Sequence, residues 1–229
     1  MKATYHITQH VEQFEQWRKE NHTQEQYEKG FTDDPAYPFW ENIESDLKQL
    51  FESGTLQNLS IEEQEGIMYL IARSWDVGNI INWLTISAEE PISYLECTES
   101  DFLQMCQWAL KTKEEDVKCQ FVKVLPFLKT ISKDVIRALL LDFYKDGGTY
   151  TKRMSLFALQ ETKYPHLEEL VLTSWASEED EFYTIACINI LHSLKSKELK
   201  VYLKKAEAYK DWEFLQENIQ RIKKEAKLK

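Results

Sequence analysis

Glycine and proline are scarce, with 6 Gly and 5 Pro in 229 residues. A sandwich or barrel of strands turns every ~8–12 residues and needs these residue types at its corners. Their scarcity therefore argues against an all-β chain and for long helices. It also removes the Gly-rich phosphate loops: neither GxGxxG nor GxxxxGK[ST] occurs. Cysteine is sparse, and Cys97, Cys106, Cys119 and Cys187 stand apart without a CxxC pair. Neither a zinc site nor a disulfide framework is signalled, and the four read as reduced thiols packing as small hydrophobes in a cytoplasmic protein. No apolar run approaches the ~20 residues of a bilayer span. The polar start, Met1 to His10, lacks a signal-peptide core. No membrane association, no metal and no cofactor is expected.

Basic side chains are rare in the first half. Residues 1–110 carry 6 basic and 20 acidic groups, residues 111–194 carry 11 and 13, and residues 195–229 carry 11 and 6, for a net charge of −11. An acidic body repels the phosphate backbone that dominates nucleic-acid affinity, and it suits a basic partner. The Lys-rich end reads first as a solvated terminal helix.

What the sequence does contain is apolar residues at helical spacing. Val11, Phe14 and Trp17 make a narrow stripe in a polar segment over residues 10–29. After the loop around Asp33, Asp34 and Pro35, residues Phe39, Trp40, Ile43, Leu47, Leu50 and Phe51 mark one face of a helix that Gly54 can stop. Ser60 followed by Glu62 and Glu63 opens another helix. Further helices are predicted from Ser100, over 114–129, from Ser132 to a stop at Gly147 and Gly148 in the left-handed conformation, after Pro165, and over 182–194.

Three of these segments repeat. Residues 118–125 (KCQFVKVL), 152–159 (KRMSLFAL) and 184–191 (TIACINIL) align without gaps at spacings of 34 and 32. Each precedes a polar break and a second apolar helix. Paired helices at such a period mark an α-solenoid. The TPR and ankyrin signatures are absent, so loosely defined HEAT/armadillo-like repeats fit best. The expectation is an all-α superhelix of about six helix pairs in a single domain, with an N-terminal helix and loop over 1–38 and the repeat domain over 39–229. Val124, Leu125, Ala158, Leu159, Ile190 and Leu191 occupy equivalent points and are predicted to be buried.

Few constellations suggest chemistry. His6 and His10 stand at i, i+4, a metal-ligand spacing, but nothing like HExxH surrounds them, and a surface pair in a frayed terminus is the plainer reading. Glu62-Glu63 and Glu89-Glu90 are explained by helix starts.

Residues 72–81 (ARSWDVGNII) carry a Trp-Asp within a helix. Together with residues 152–161 (KRMSLFALQE), they resemble the HEAT-like DNA alkylation-repair glycosylases, whose pattern reads Trp-Asp-x-x-Asp and then Arg-Lys-Ala-x-x-Trp-Ala-Leu-Arg-Glu. The resemblance implies a cleft containing Trp75, Asn79, Lys118, Arg153 and Phe157. Three of these positions depart from the family. Asn79 stands where the family's catalytic carboxylate belongs and cannot stabilise a developing cationic sugar. Lys118 replaces an Arg and loses its planar fork. Phe157 replaces a Trp. The catalytic set is dismantled, and no catalytic residue is assigned. The expected function is a non-catalytic module binding another, basic protein and neutralising it. The alternative is a DNA-binding protein or an alkylpurine-DNA glycosylase-like enzyme, which the net charge disfavours.

Overall fold

The computed structural model describes residues 6–28, 36–74, 98–175 and 177–226. Among the described residues every regular element is helical, with twelve α-helices and two short 3-10 turns. Their contacts group into two compact units, residues 1–131 and 132–229.

The first unit contains α1 (Ile7–Asn21), α2 (Gln24–Glu28), α3 (Trp40–Glu52), α4 (Ile61–Arg73), α5 (Glu99–Lys111) and α6 (Glu115–Val124). Capping fixes where several begin. Ser60 and Glu63 form a reciprocal capping box at α4, and Thr98 and Asp101 form one at α5. Each satisfies helix-end N–H groups that would otherwise lack partners. The predicted stripe of α3 is buried at Trp40, Ile43, Leu47, Leu50 and Phe51. Phe39 departs from it: it is the N-cap residue and is exposed.

Helix α1 packs on α3 and α4. Phe14 is fully buried, with its ring against those of Tyr37, Trp40 and Tyr69. The histidine pair also differs from the sequence reading. His6 is exposed, but His10 is buried, with Nε2 2.9 Å from Asp46 Oδ2 on α3. It ties two helices together rather than lying in a frayed end.

The helix predicted over 114–129 ends early. α6 stops at Val124, and Leu125–Phe127 form a 3-10 turn around Pro126. Proline has no N–H to donate and its ring crowds the carbonyl four residues earlier. Val124 is consequently half-buried, while Leu125, Ala158, Leu159, Ile190 and Leu191 are buried as predicted.

The second unit runs α7 (Lys133–Asp146), α8 (Thr149–Glu161), α9 (Leu167–Ser174), α10 (Glu181–Ser193), α11 (Leu199–Ala206) and α12 (Glu213–Glu225). Sequential neighbours pack, and α8 also packs on α10 and α10 on α12. Those three helices open at 149, 181 and 213, a step of 32.

The repeat extends to the backbone. At the end of α8, Lys163 N–H donates to the Gln160 carbonyl and Tyr164 N–H to that of Leu159. At the end of α10, Lys195 donates to His192 and Ser196 to Leu191. Both are Schellman caps, with Lys163 at φ 55° and Lys195 at φ 54° in the left-handed region. A lysine there carries a strain of about 1–2 kcal/mol that glycine avoids, against a glycine entropy cost of about 0.5–1 kcal/mol. Lys163→Gly is therefore expected to raise stability slightly, by up to about 1 kcal/mol in urea denaturation. A clear loss would show that the lysine stem packs well enough to outweigh its backbone strain.

Gly147 ends α7 differently from the left-handed stop expected of it. It is extended, at φ −83° and ψ 158°. A Cβ there would lie 2.4 Å from Thr151 Cγ2 and 2.7 Å from the Phe143 carbonyl oxygen, so glycine is required by close approach. Gly54, after α3, does take positive φ, at 62°.

Candidate functional site

The side chains expected to line a cleft have different settings. Trp75 and Asn79 lie outside the described residues, as do Glu89, Glu90 and Cys97. Lys118, on α6 of the first unit, is 5% exposed, with Nζ 2.9 Å from Glu115 Oε1 one turn earlier. Arg153 and Phe157 are half-buried on α8 of the second unit. Arg153 lies over two other rings of the second unit. Its guanidinium carbon lies 4.6 Å from the centre of the Tyr150 ring and 5.4 Å from that of Phe182.

These rings belong to a row. Tyr150, Phe182 and Phe214 are each the second residue of α8, α10 and α12, again at a step of 32. They are 40%, 46% and 57% exposed. The Phe182 and Phe214 rings pack at 5.6 Å between centres and 31° between planes. One edge of the second unit thus carries three outward aromatic faces, crossed at its first step by Arg153.

Acidic groups hold this edge in place. Asp180 caps α10 by accepting from the Tyr183 N–H at 2.7 Å. Glu181 accepts from the Leu215 N–H at 2.9 Å, joining the start of α10 to that of α12. Glu178 accepts from the Thr149 hydroxyl at 2.8 Å and pairs with the Lys152 ammonium. Burial works to raise the Glu178 carboxyl, but the bonds from Lys152 and Thr149 outweigh it and hold the group below the usual carboxylate range. Negative charge at three helix N-termini is favourable to each helix dipole. It also places carboxylates at the same helix starts as the aromatic row, alongside Lys152 and Arg153.

The sequence reading stacked the buried segments of the repeat and passed over its helix openings. The overlooked signal was the same 32-residue step read at 150, 182 and 214.

Other features of the described residues are structural. Burial pushes the thiols of Cys119 and Cys187 up to about 12 and that of Cys106 well above its usual value, so none is a ready nucleophile. Among the described residues no group of three or more His, Cys, Asp or Glu side chains converges on a point that could hold a metal ion. No helix among the described residues is long and apolar enough to cross a membrane. In the first unit, an open groove of about 530 Å³ passes over Gly66 and Tyr69. Its charged lining is Glu12, Glu62, Glu65 and Glu114 with Lys111 and Lys113, acidic in balance but of both signs.

No protein-family model matches this chain, and neither a curated protein nor a solved structure matches it.

Proposed function

We propose that this chain is a non-catalytic, HEAT-like helical-repeat module that binds a basic protein. The repeat reading is supported by the 32-residue step shared by the starts of α8, α10 and α12, by their packing on one another, and by the matching caps that end α8 and α10. Stacked helix pairs of this kind build extended surfaces that grip protein.

The observation that carries the binding reading is the exposed row of Tyr150, Phe182 and Phe214. Three exposed rings recur along one edge, two of them packed on each other and the first two joined by Arg153, and aromatic anchors of this type dominate protein interfaces. A basic partner follows from the acidic helix starts beside the row, where Glu178, Asp180 and Glu181 stand; the chain's excess of acidic groups lies in residues 1–110.

The test is an array of immobilised peptides spanning basic, acidic and apolar compositions, with a single-stranded oligonucleotide in parallel. The intact chain is expected to be retained by a subset of peptides that releases the Phe182→Ala/Phe214→Ala double variant. Equal retention of both proteins would overturn the reading. Retention by the oligonucleotide in preference to every peptide would favour the nucleic-acid alternative.

A further inference from the structure

The aromatic row is not uniform along its length. At its first step the chain supplies its own cation, because Arg153 covers both Tyr150 and Phe182. Arg153 stands three residues after Tyr150, a spacing that puts the two on one face of α8. The residue in the same register after Phe214 is Glu217, an exposed carboxylate. Phe214 is also the most exposed of the three rings. Glu213, beside it, is exposed too, and the Glu181 carboxylate sits at the same helix start through its bond from Leu215 N–H. The last described step therefore presents a more exposed ring, with exposed carboxylates one residue before it and three residues after it on α12, where the first step presents a ring already covered by a guanidinium.

We propose that Phe214, with Glu213 and Glu217, is a subsite for an arginine side chain of the partner protein. The incoming guanidinium stacks on the Phe214 ring and donates its N–H groups to the neighbouring carboxylates. It repeats with an external cation the contact that Arg153 makes internally. This rests on the reading of the chain as a protein-binding module and names the chemistry that the module selects.

Arginine suits the site better than lysine. Its guanidinium is planar, more weakly hydrated and able to stack while its edges hydrogen-bond, whereas an ammonium is a compact and strongly hydrated charge. A nucleic-acid base could also stack on the ring. Platforms for single strands, however, line the backbone's path with positive charge, and here the charged residues flanking Phe214 on α12, Glu213 and Glu217, are negative. The cations of α12 stand in its later turns, where Arg221 bonds Asn189 and Glu225 and Lys223 pairs with Glu207.

The decisive measurement is fluorescence anisotropy of labelled peptides titrated with the full chain. The probes are an alternating Arg-Gly peptide and its Lys-Gly and citrulline-Gly counterparts. The Arg peptide is expected to bind most tightly and the neutral citrulline peptide most weakly. Phe214→Ala and Glu217→Lys should each weaken Arg-peptide binding by about fivefold to tenfold. Phe214→Tyr keeps a ring and should retain binding. Ile61→Ala, at an exposed apolar position of the first unit, should change nothing. Circular dichroism of each variant separates lost binding from lost folding.

Equal affinity for the Arg and Lys peptides, or Arg-peptide binding indifferent to Phe214 and Glu217, would overturn the proposal. An acidic or apolar peptide that needs Phe182 and Phe214 would overturn the arginine subsite and leave the protein-binding reading standing. Failure of every peptide class to depend on the row would overturn both.

Discussion

Leu159→Ala is expected to lower the unfolding free energy by about 2–5 kcal/mol. Leu159 is fully buried on α8, which packs on α7, α9 and α10. Its carbonyl also accepts the Tyr164 N–H that closes the cap of that helix. Removing the side chain loses its burial and leaves a cavity whose walls belong to packed helices that relax only in part. Val124→Ala is the internal control. The sequence repeat gives Val124 a place equivalent to Ala158, and the same segments align Leu125 with Leu159. Pro126, however, breaks its helix and leaves it half-buried. If burial set by packing decides the cost, Val124→Ala should be clearly milder. Urea denaturation of both variants decides between these cases. A Leu159→Ala loss under about 0.5 kcal/mol, the range of a surface change, would mean that the register of the repeat has been misread.

The contrast between these two positions shows what sequence periodicity can and cannot reveal. Apolar spacing identified the buried faces of α3, α8 and α10 because a helix buries one stripe and the stripe recurs every three to four residues. It did not locate the end of α6, where one proline outweighs the pattern around it. It did not foresee the conformation of Gly147 either. Glycine at a helix end signals a stop, but the left-handed turn and the tight approach to Phe143 and Thr151 both call for the same residue. Gly54 does take the left-handed turn after α3, but among the described residues two further left-handed positions fall on Lys163 and Lys195, where composition gives no warning.

The candidate site was less legible for a related reason. Core residues announce themselves through the period of their burial, while exposed residues answer to no packing pattern. Tyr150, Phe182 and Phe214 could be recognised only by carrying the 32-residue step outward from the core to the helix openings. The family resemblance drew attention to Arg153 through a different constellation. Arg153 does engage aromatic rings, those of Tyr150 and Phe182.

Stability is expected to fall steeply above about pH 9, the region in which thiols exposed to water ionise. In the folded protein, burial pushes the Cys119 and Cys187 thiols up to about 12. Cys119 is further held neutral as it donates its S–H to the Asp116 carbonyl at 3.0 Å. Tyr183 moves in the same direction, chiefly because its hydroxyl is buried and also because it lies 2.7 Å from that of Tyr144, which together outweigh the bond it makes to Ser174 Oγ. All these groups are raised in the folded state, so the unfolded chain releases its protons first. Their contribution is complete below the unfolded value and is lost as pH rises toward the folded one. Each thiol that is ionised only when unfolded removes about 1.4 kcal/mol per pH unit. Cys119 and Cys187 together then remove about 5 kcal/mol over two units, comparable to the whole stability of a small domain. Urea midpoints measured from pH 7 to 11 should decline with a slope that becomes shallower in Cys187→Ala and shallower still in Cys119→Ala/Cys187→Ala. Loss of lysine charge at high pH affects all three proteins alike, so the difference between slopes isolates the thiols. Identical slopes in the three proteins would show that Cys119 and Cys187 reach water well before the chain unfolds.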